Sequence, residues 1–304
     1  MNGLRHLLLS TALAMGLGAG AAMAQAASGT VFASATDGVA QFVAAARAKD
    51  TAALDKILGP DGKDILHSGD NQADQNALAN FVTAYDVRHK LSQDAGRATL
   101  SVGTDDWPLP VPLVKEANGW HFDTAAGRSE LLARRVGRNE LSTIEACKAF
   151  VDAQREYASV DHGDGVLDYA QRFISTPGKQ DGLYWPAKPG EAESPLGPLF
   201  VKAQAAGYTP GKSGAPQPYN GYYFRILTGQ GSAASGGAYS YLAHGKLMGG
   251  FALIAYPASY GVSGVMTFIV NQDGQVFQKD MGPATASAAA QIKTFDPGPG
   301  WQKA

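Results

Sequence analysis

Between Glu193 and Asp273 the chain has no aspartate or glutamate, and its only formal charges there are Lys202, Lys212, Arg225 and Lys246. The wider tract from Asp181 to Gly282 is crowded with aromatic, glycine and β-branched residues. So long a stretch with so little charge must bury a large face, and β-branched and aromatic side chains do this best on a pleated sheet. Segment 221–227 alternates, with Tyr222, Phe224 and Ile226 on one side and Tyr223, Arg225 and Leu227 on the other. Segments 251–256 and 265–270 are more continuously apolar, the pattern of central strands covered on both faces. Asp273-Gly274 then turns the chain into a further strand over 275–279.

Ahead of this tract the periodicity is helical. Thr36 is placed to cap a helix carrying Val39, Phe42, Val43 and Ala46 on one face, and 51–58 continues helically to a stop at Gly59-Pro60. A second helix over 72–90 sets Leu78, Phe81, Val82 and Tyr85 at i, i+3, i+4 and i+7. Strands are expected at 97–102 and 109–114, and Asn118-Gly119 leads by a hairpin turn into 120–123. Helices followed by a curled antiparallel sheet resemble the nuclear-transport-factor-like cone fold.

A helix joins the two halves. Gly137 is expected to break it, and Ser142-Thr143-Ile144-Glu145 reads as a capping box that starts a new helix with Ile144, Cys147 and Val151 on one stripe. A short helix with Leu167, Ala170, Phe173 and Ile174 should follow. Another is framed by Ser194 at its N-cap, Pro195 in its first turn and Gly207 past its end. The late helix-plus-meander pattern resembles the globular head of pilins and pseudopilins, without their long apolar N-terminal helix. The expected class is therefore α+β: N-terminal helices on a curled, cone-like antiparallel sheet, then a pilin-head-like helix and antiparallel meander. The expected units are residues 1–24 as a signal peptide, 25–140 and 141–304.

The signal peptide rests on Arg5, the apolar run 7–17 and the Ala22-Met23-Ala24 cleavage pattern. That run is short of the roughly 20 residues of a membrane span, so no span is expected once it is removed, and the setting is periplasmic or secreted. Without Arg5 the chain has 24 basic against 27 acidic residues, a balance that speaks against nucleic acid as a partner. Cys147 is the only cysteine, which excludes an internal disulfide.

Seven stretches together form a recognisable pattern. Upstream are Asp105-Asp106-Trp107-Pro108 and Arg134-Arg135-Val136-Gly137-Arg138-Asn139-Glu140. Downstream are Trp185-Pro186-Ala187, Ser194-Pro195-Leu196-Gly197-Pro198-Leu199, 221–227, Met248-Gly249-Gly250-Phe251-Ala252 and 264–271. The pattern resembles the bacterial family catalogued as domain of unknown function 2950 over nearly the whole mature chain. The resemblance implies an exported protein and brings no catalytic residue with it.

The residues themselves offer few sites. Asp161, His162, Asp164 and Asp168 are dense in metal-type ligands. An EF-hand registered on Gly165 nevertheless puts Val160 at the first ligand position and Gln171 where the glutamate belongs, so the segment reads as an acidic turn. His67-Ser68-Gly69-Asp70 places triad residue types side by side, which cannot give triad geometry. Cys147 lies on an apolar stripe and reads as packing. Arg134, Arg135 and Arg138 form a cationic helix face beside Glu130 and Glu140. No catalytic, cofactor or metal residue is assigned. The candidate surface for a protein or glycan partner is Trp185, Tyr219, Tyr223, Arg225, Tyr239, Tyr241 and Lys246, because rings give contact area at little entropic cost. The favoured reading is a non-enzymatic envelope protein that binds or supports. The alternatives are a hydrolase using Asp161, Asp164 and Asp168, and a pseudopilin-like assembly or cargo factor.

Overall fold

The computed structural model describes residues 29–163, 165–187, 190–209 and 216–304. The expected signal peptide, Asp164 and Lys212 lie outside the described residues.

The first core forms where four helices cover an antiparallel sheet. Helix α1 (Ala35–Ala48) is capped by Ser34, whose side chain accepts from Asp37 N–H, and it buries Val39, Phe42, Val43 and Ala46. The cap thus falls two residues before Thr36. After α2 (Thr51–Leu58), Gly59 sits at φ 69°, and a 3₁₀ turn (Pro60–Gly62) leads into α3 (Lys63–Leu66). Asp70 then caps α4 (Asn71–Val87). This helix ends short of Lys90, because Lys90 pairs with Ser101 as part of β1 (His89–Gln93). Strand β2 (Arg97–Val102) pairs with β1, with β3 (Trp107–Pro108) and with β4 (Leu113–Glu116), and β5 (Gly119–Phe122) closes the sheet against β4. The strand expected at 109–114 begins only at Leu113, since Pro110 and Pro112 have no N–H to give to a ladder.

Helix α5 (Thr124–Tyr157) runs for 34 residues without interruption, against the expected break at Gly137 and fresh start at Ser142. Gly137 faces open space, so no contact forces a bend there. The Thr143 hydroxyl donates back to Asn139 O at 2.7 Å, a bond internal to a helix, and Ser142 Oγ accepts from Asn220 Nδ2 at 2.8 Å rather than capping a helix. The expected 140/141 boundary therefore falls inside one helix. The short helix expected around Leu167 to Ile174 is absent, because other groups satisfy its backbone. Ala170 exchanges two bonds of 2.8 Å with the Gln154 side chain, and Tyr169 N–H donates to Leu247 O at 2.8 Å. Helix α6 (Gly197–Ala205) starts after Leu196, with Pro198 in its first turn, two residues later than the expected Ser194 cap. Gly207 stands past its end at φ 83°, as the expected stop requires.

In the remainder, β6 (Tyr222–Leu227) is followed by the short strands β7 (Gly229–Gln230), β8 (Tyr239–Ser240), β9 (Leu242–Ala243) and β10 (Lys246–Leu247). Then come β11 (Ala252–Pro257), β12 (Met266–Asn271), β13 (Phe277–Asp280), α7 (Thr285–Gln291) and β14 (Gln302–Lys303). The main sheet has the order β14-β13-β12-β11-β6 and is antiparallel throughout. Strands β11 and β12 are central, as their apolar runs predict. One face packs on Cys147, Phe150 and Val151 of α5, and the other gathers Leu227, Ile254, Ile269 and Ala289 around α7. The fold class is α+β, with helices and antiparallel sheets in both halves.

Candidate ligand-binding cleft

The apolar stripe of α4 is where the packing departs from what its sequence calls for. Leu78, Phe81, Val82 and Tyr85 pack toward the first core, yet none of the 17 residues of α4 is buried. The Phe81 ring meets Phe42 edge-on at 5.3 Å, so the helix is docked at that point. Its last turn is tied to the β2–β3 turn as well, where Gly103 N–H donates to Ala84 O at 3.1 Å. A solvent-open cleft of about 730 Å³ lies between α4, the β2–β3 turn and the first half of α5. Its walls include Leu58, Leu66, Phe81, Val102, Leu109 and Leu131, and its polar rim includes Asp74, Asn76, Arg135, Arg138, Asn139 and Tyr208.

The rim is held from both halves of the molecule. Asp70 is 1 % exposed. Its Oδ1 accepts from Ala73 N–H at 3.0 Å as the α4 cap, while Oδ2 accepts from the Tyr208 hydroxyl at 2.9 Å and from Gly221 N–H at 2.8 Å. Burial, reinforced by the Asp70 carboxylate, holds the Tyr208 phenol above its ordinary pKa, so it stays a donor. Asn76 Nδ2 donates to Ala206 O at 2.8 Å. From α5, Asn139 Nδ2 donates to Ser263 O at 2.8 Å, and Glu140 Oε1 accepts from Val265 and Met266 N–H at 2.9 and 3.0 Å.

The arginine face divides by partner. Arg134 pairs with Glu130 and lies 5.3 Å over the Trp107 ring. Arg135 donates to the α3 carbonyls Asp64 O, at 2.7 Å, and Ile65 O. Arg138 is exposed. Facing Arg135, Asp74 accepts from Ser68 N–H at 2.9 Å. Its carboxyl is nonetheless shifted above the usual aspartate value, because desolvation outweighs the Ser68 bonds and the Arg135 charge.

The seven rings and cations singled out from sequence do not form one surface. Trp185 and Tyr241 are 8 % and 0 % exposed and belong to the two C-terminal cores. Arg225 donates to Ala289 O and Ile292 O at 2.7 and 2.8 Å, holding the end of α7. Tyr223 packs with Tyr256 at 5.6 Å, and Tyr239 is 41 % exposed beside Tyr241. Lys246 lies half-buried on β10. Tyr219 borders a second, aromatic groove of about 470 Å³ lined by Phe150, Phe173, Phe200 and Phe224, and Tyr208 lines both spaces.

Among the described residues, the acids of the hydrolase alternative do not converge on either space. Asp161 Oδ1 accepts from Gly163 and Gly165 N–H at 2.9 and 3.1 Å, closing an exposed turn, and neither Asp161 nor Asp168 lines the cleft or the groove. His67 pairs with Asp55 at 3.0 Å, whereas Ser68 Oγ accepts from Asp70 N–H at 3.2 Å. Burial pushes the Cys147 thiol up to about 12. Among the described residues no group of His, Cys, Asp and Glu is placed to hold a metal, and no helix is long and apolar enough to cross a membrane.

Fold and cleft together describe an α+β protein whose two halves share one long helix and meet around a largely apolar recess. Over residues 29–304 the chain matches the family model described as "Protein of unknown function (DUF2950)", and it belongs to that family. No curated protein and no solved structure matches it.

Proposed function

We propose that this protein is an exported, non-enzymatic binding protein of the bacterial envelope, and that its ligand is an apolar small molecule seated beneath α4. The observation that carries this is the unburied apolar stripe of α4 above a cleft of about 730 Å³. Ligand sites are typically concave, mostly apolar and about 300–1,000 Å³, with a few polar groups at fixed places. A ligand there would complete the packing that Leu78, Phe81 and Tyr85 lack. Each buried methylene contributes about 0.8 kcal/mol, so several are needed before the association cost of at least ~4 kcal/mol is exceeded. That favours a long apolar chain over a small polar solute. Export is supported by Arg5, the apolar run 7–17 and the Ala22-Met23-Ala24 pattern.

The test is a titration of the purified chain with an environment-sensitive apolar fluorophore. Saturable binding is expected, and Ala84→Phe, which fills the cleft from α4, should abolish it while leaving the far-UV circular dichroism unchanged. Equal binding by the folded variant would place the ligand elsewhere. The assembly-factor alternative draws on β6, an edge strand whose one charge, Arg225, is turned to α7. Cross-linking of an envelope protein to residues of that edge would favour it.

A further inference from the structure

We propose that the ligand is an amphiphile with an anionic head group, its apolar chain beneath α4 and its head at Arg135 and Arg138. This rests on the cleft being a ligand site. The argument is the segregation of the lining. The apolar side chains come from α1 to α4, from residues 102–111 and from Leu131, whereas the two cations stand three residues apart on α5 and so face the same way.

The acids around them are already engaged. Asp64 pairs with Arg128, and Glu130 pairs with Arg134. Glu140 accepts two backbone N–H groups of the C-terminal half. Asp106 takes Arg88 at 3.0 Å, and its neighbour Asp105, on the opposite lip, faces the Thr104 hydroxyl at 3.5 Å. Asp74 is the carboxyl that acts most on Arg135, ahead of Asp64, and its burial favours the uncharged form. Burial first, and then repulsion from Arg138, disfavour the charge on Arg135. An anion between the two guanidiniums relieves that repulsion and takes the N–H donors that the α3 carbonyls leave over. Carboxylate and phosphate share this chemistry.

The experiment displaces the bound apolar fluorophore from the full chain with four molecules of one chain length: a carboxylate, a phosphate monoester, an alcohol and a trimethylammonium. Both anions are expected to compete about tenfold better than the alcohol at low salt, the worth of one charge-assisted contact, with the ammonium weakest. A preference for only one anion identifies the head group. Arg138→Gln should bring the ratio of anion to alcohol toward one, and Arg138→Lys should restore part of it. If all four compete equally while the fluorophore still binds, the head-group assignment is overturned and the apolar cleft stands. If the fluorophore does not bind the folded chain, both are overturned.

Discussion

Asp70 sets the scale of what one carboxylate can hold. It caps α4 on one side and receives Tyr208 and Gly221 from the other half of the chain on the other. Asp70→Ala removes the cap and strands the buried Gly221 N–H and the half-buried Tyr208 hydroxyl, so a loss of about 2–4 kcal/mol is expected in denaturant unfolding. Tyr208→Phe, which removes one donor only, should cost about 1 kcal/mol. Asp74 behaves in the opposite sense. Its folded-state pKa lies above the unfolded value of 3.8, so ionisation costs stability at neutral pH, and the cost disappears as pH falls through the raised value. Asp74→Asn is therefore expected to raise the unfolding midpoint at pH 7, with the difference from the parent closing near pH ~3.8. A gap that widened on acidification would contradict the assignment. Asp70 stands just before the apolar period of α4, the place of a cap residue. Its partners were not legible from that place, because Tyr208 stands 138 residues away in sequence.

At the scale of elements, legibility follows how local the satisfying groups are. The β11 and β12 runs read as central strands because both their faces are covered, which leaves no alternation to find. The stretch near Ala170 has a helical period, yet its backbone bonds go to Gln154 and Leu247, partners that no local pattern reveals. In α5 the glycine and the capping box both argue for an interruption, and the continuous helix prevails because its two ends are anchored in different cores. A helical Gly137 facing open space makes a direct prediction. Gly137→Ala should stabilise the protein by about 0.5–1 kcal/mol, read from the denaturant midpoint; destabilisation would mean that the helix bends there in solution.

For the whole molecule, the acid-free, tyrosine-rich tract is spent mainly on building a sheet covered on both faces. This accounts for Trp185 and Tyr241 lying in cores, although as a sequence the tract looked like a binding surface. The recess opens instead along α4, which Asp70 holds at its start and Gly103 at its last turn, and α5 and Tyr208 reach it from the other half. The periodicity of α4 was legible; the space beneath it was not, because a stripe of apolar residues does not state how closely its partner approaches. The central claim is that this space belongs to a ligand, and amide hydrogen exchange along α4 tests it most directly. The account predicts that the α4 amides exchange faster than those of α1 in the unliganded protein and become strongly protected when a saturating apolar ligand is added. Protection of α4 equal to that of α1 without ligand, and unchanged with it, would contradict the account.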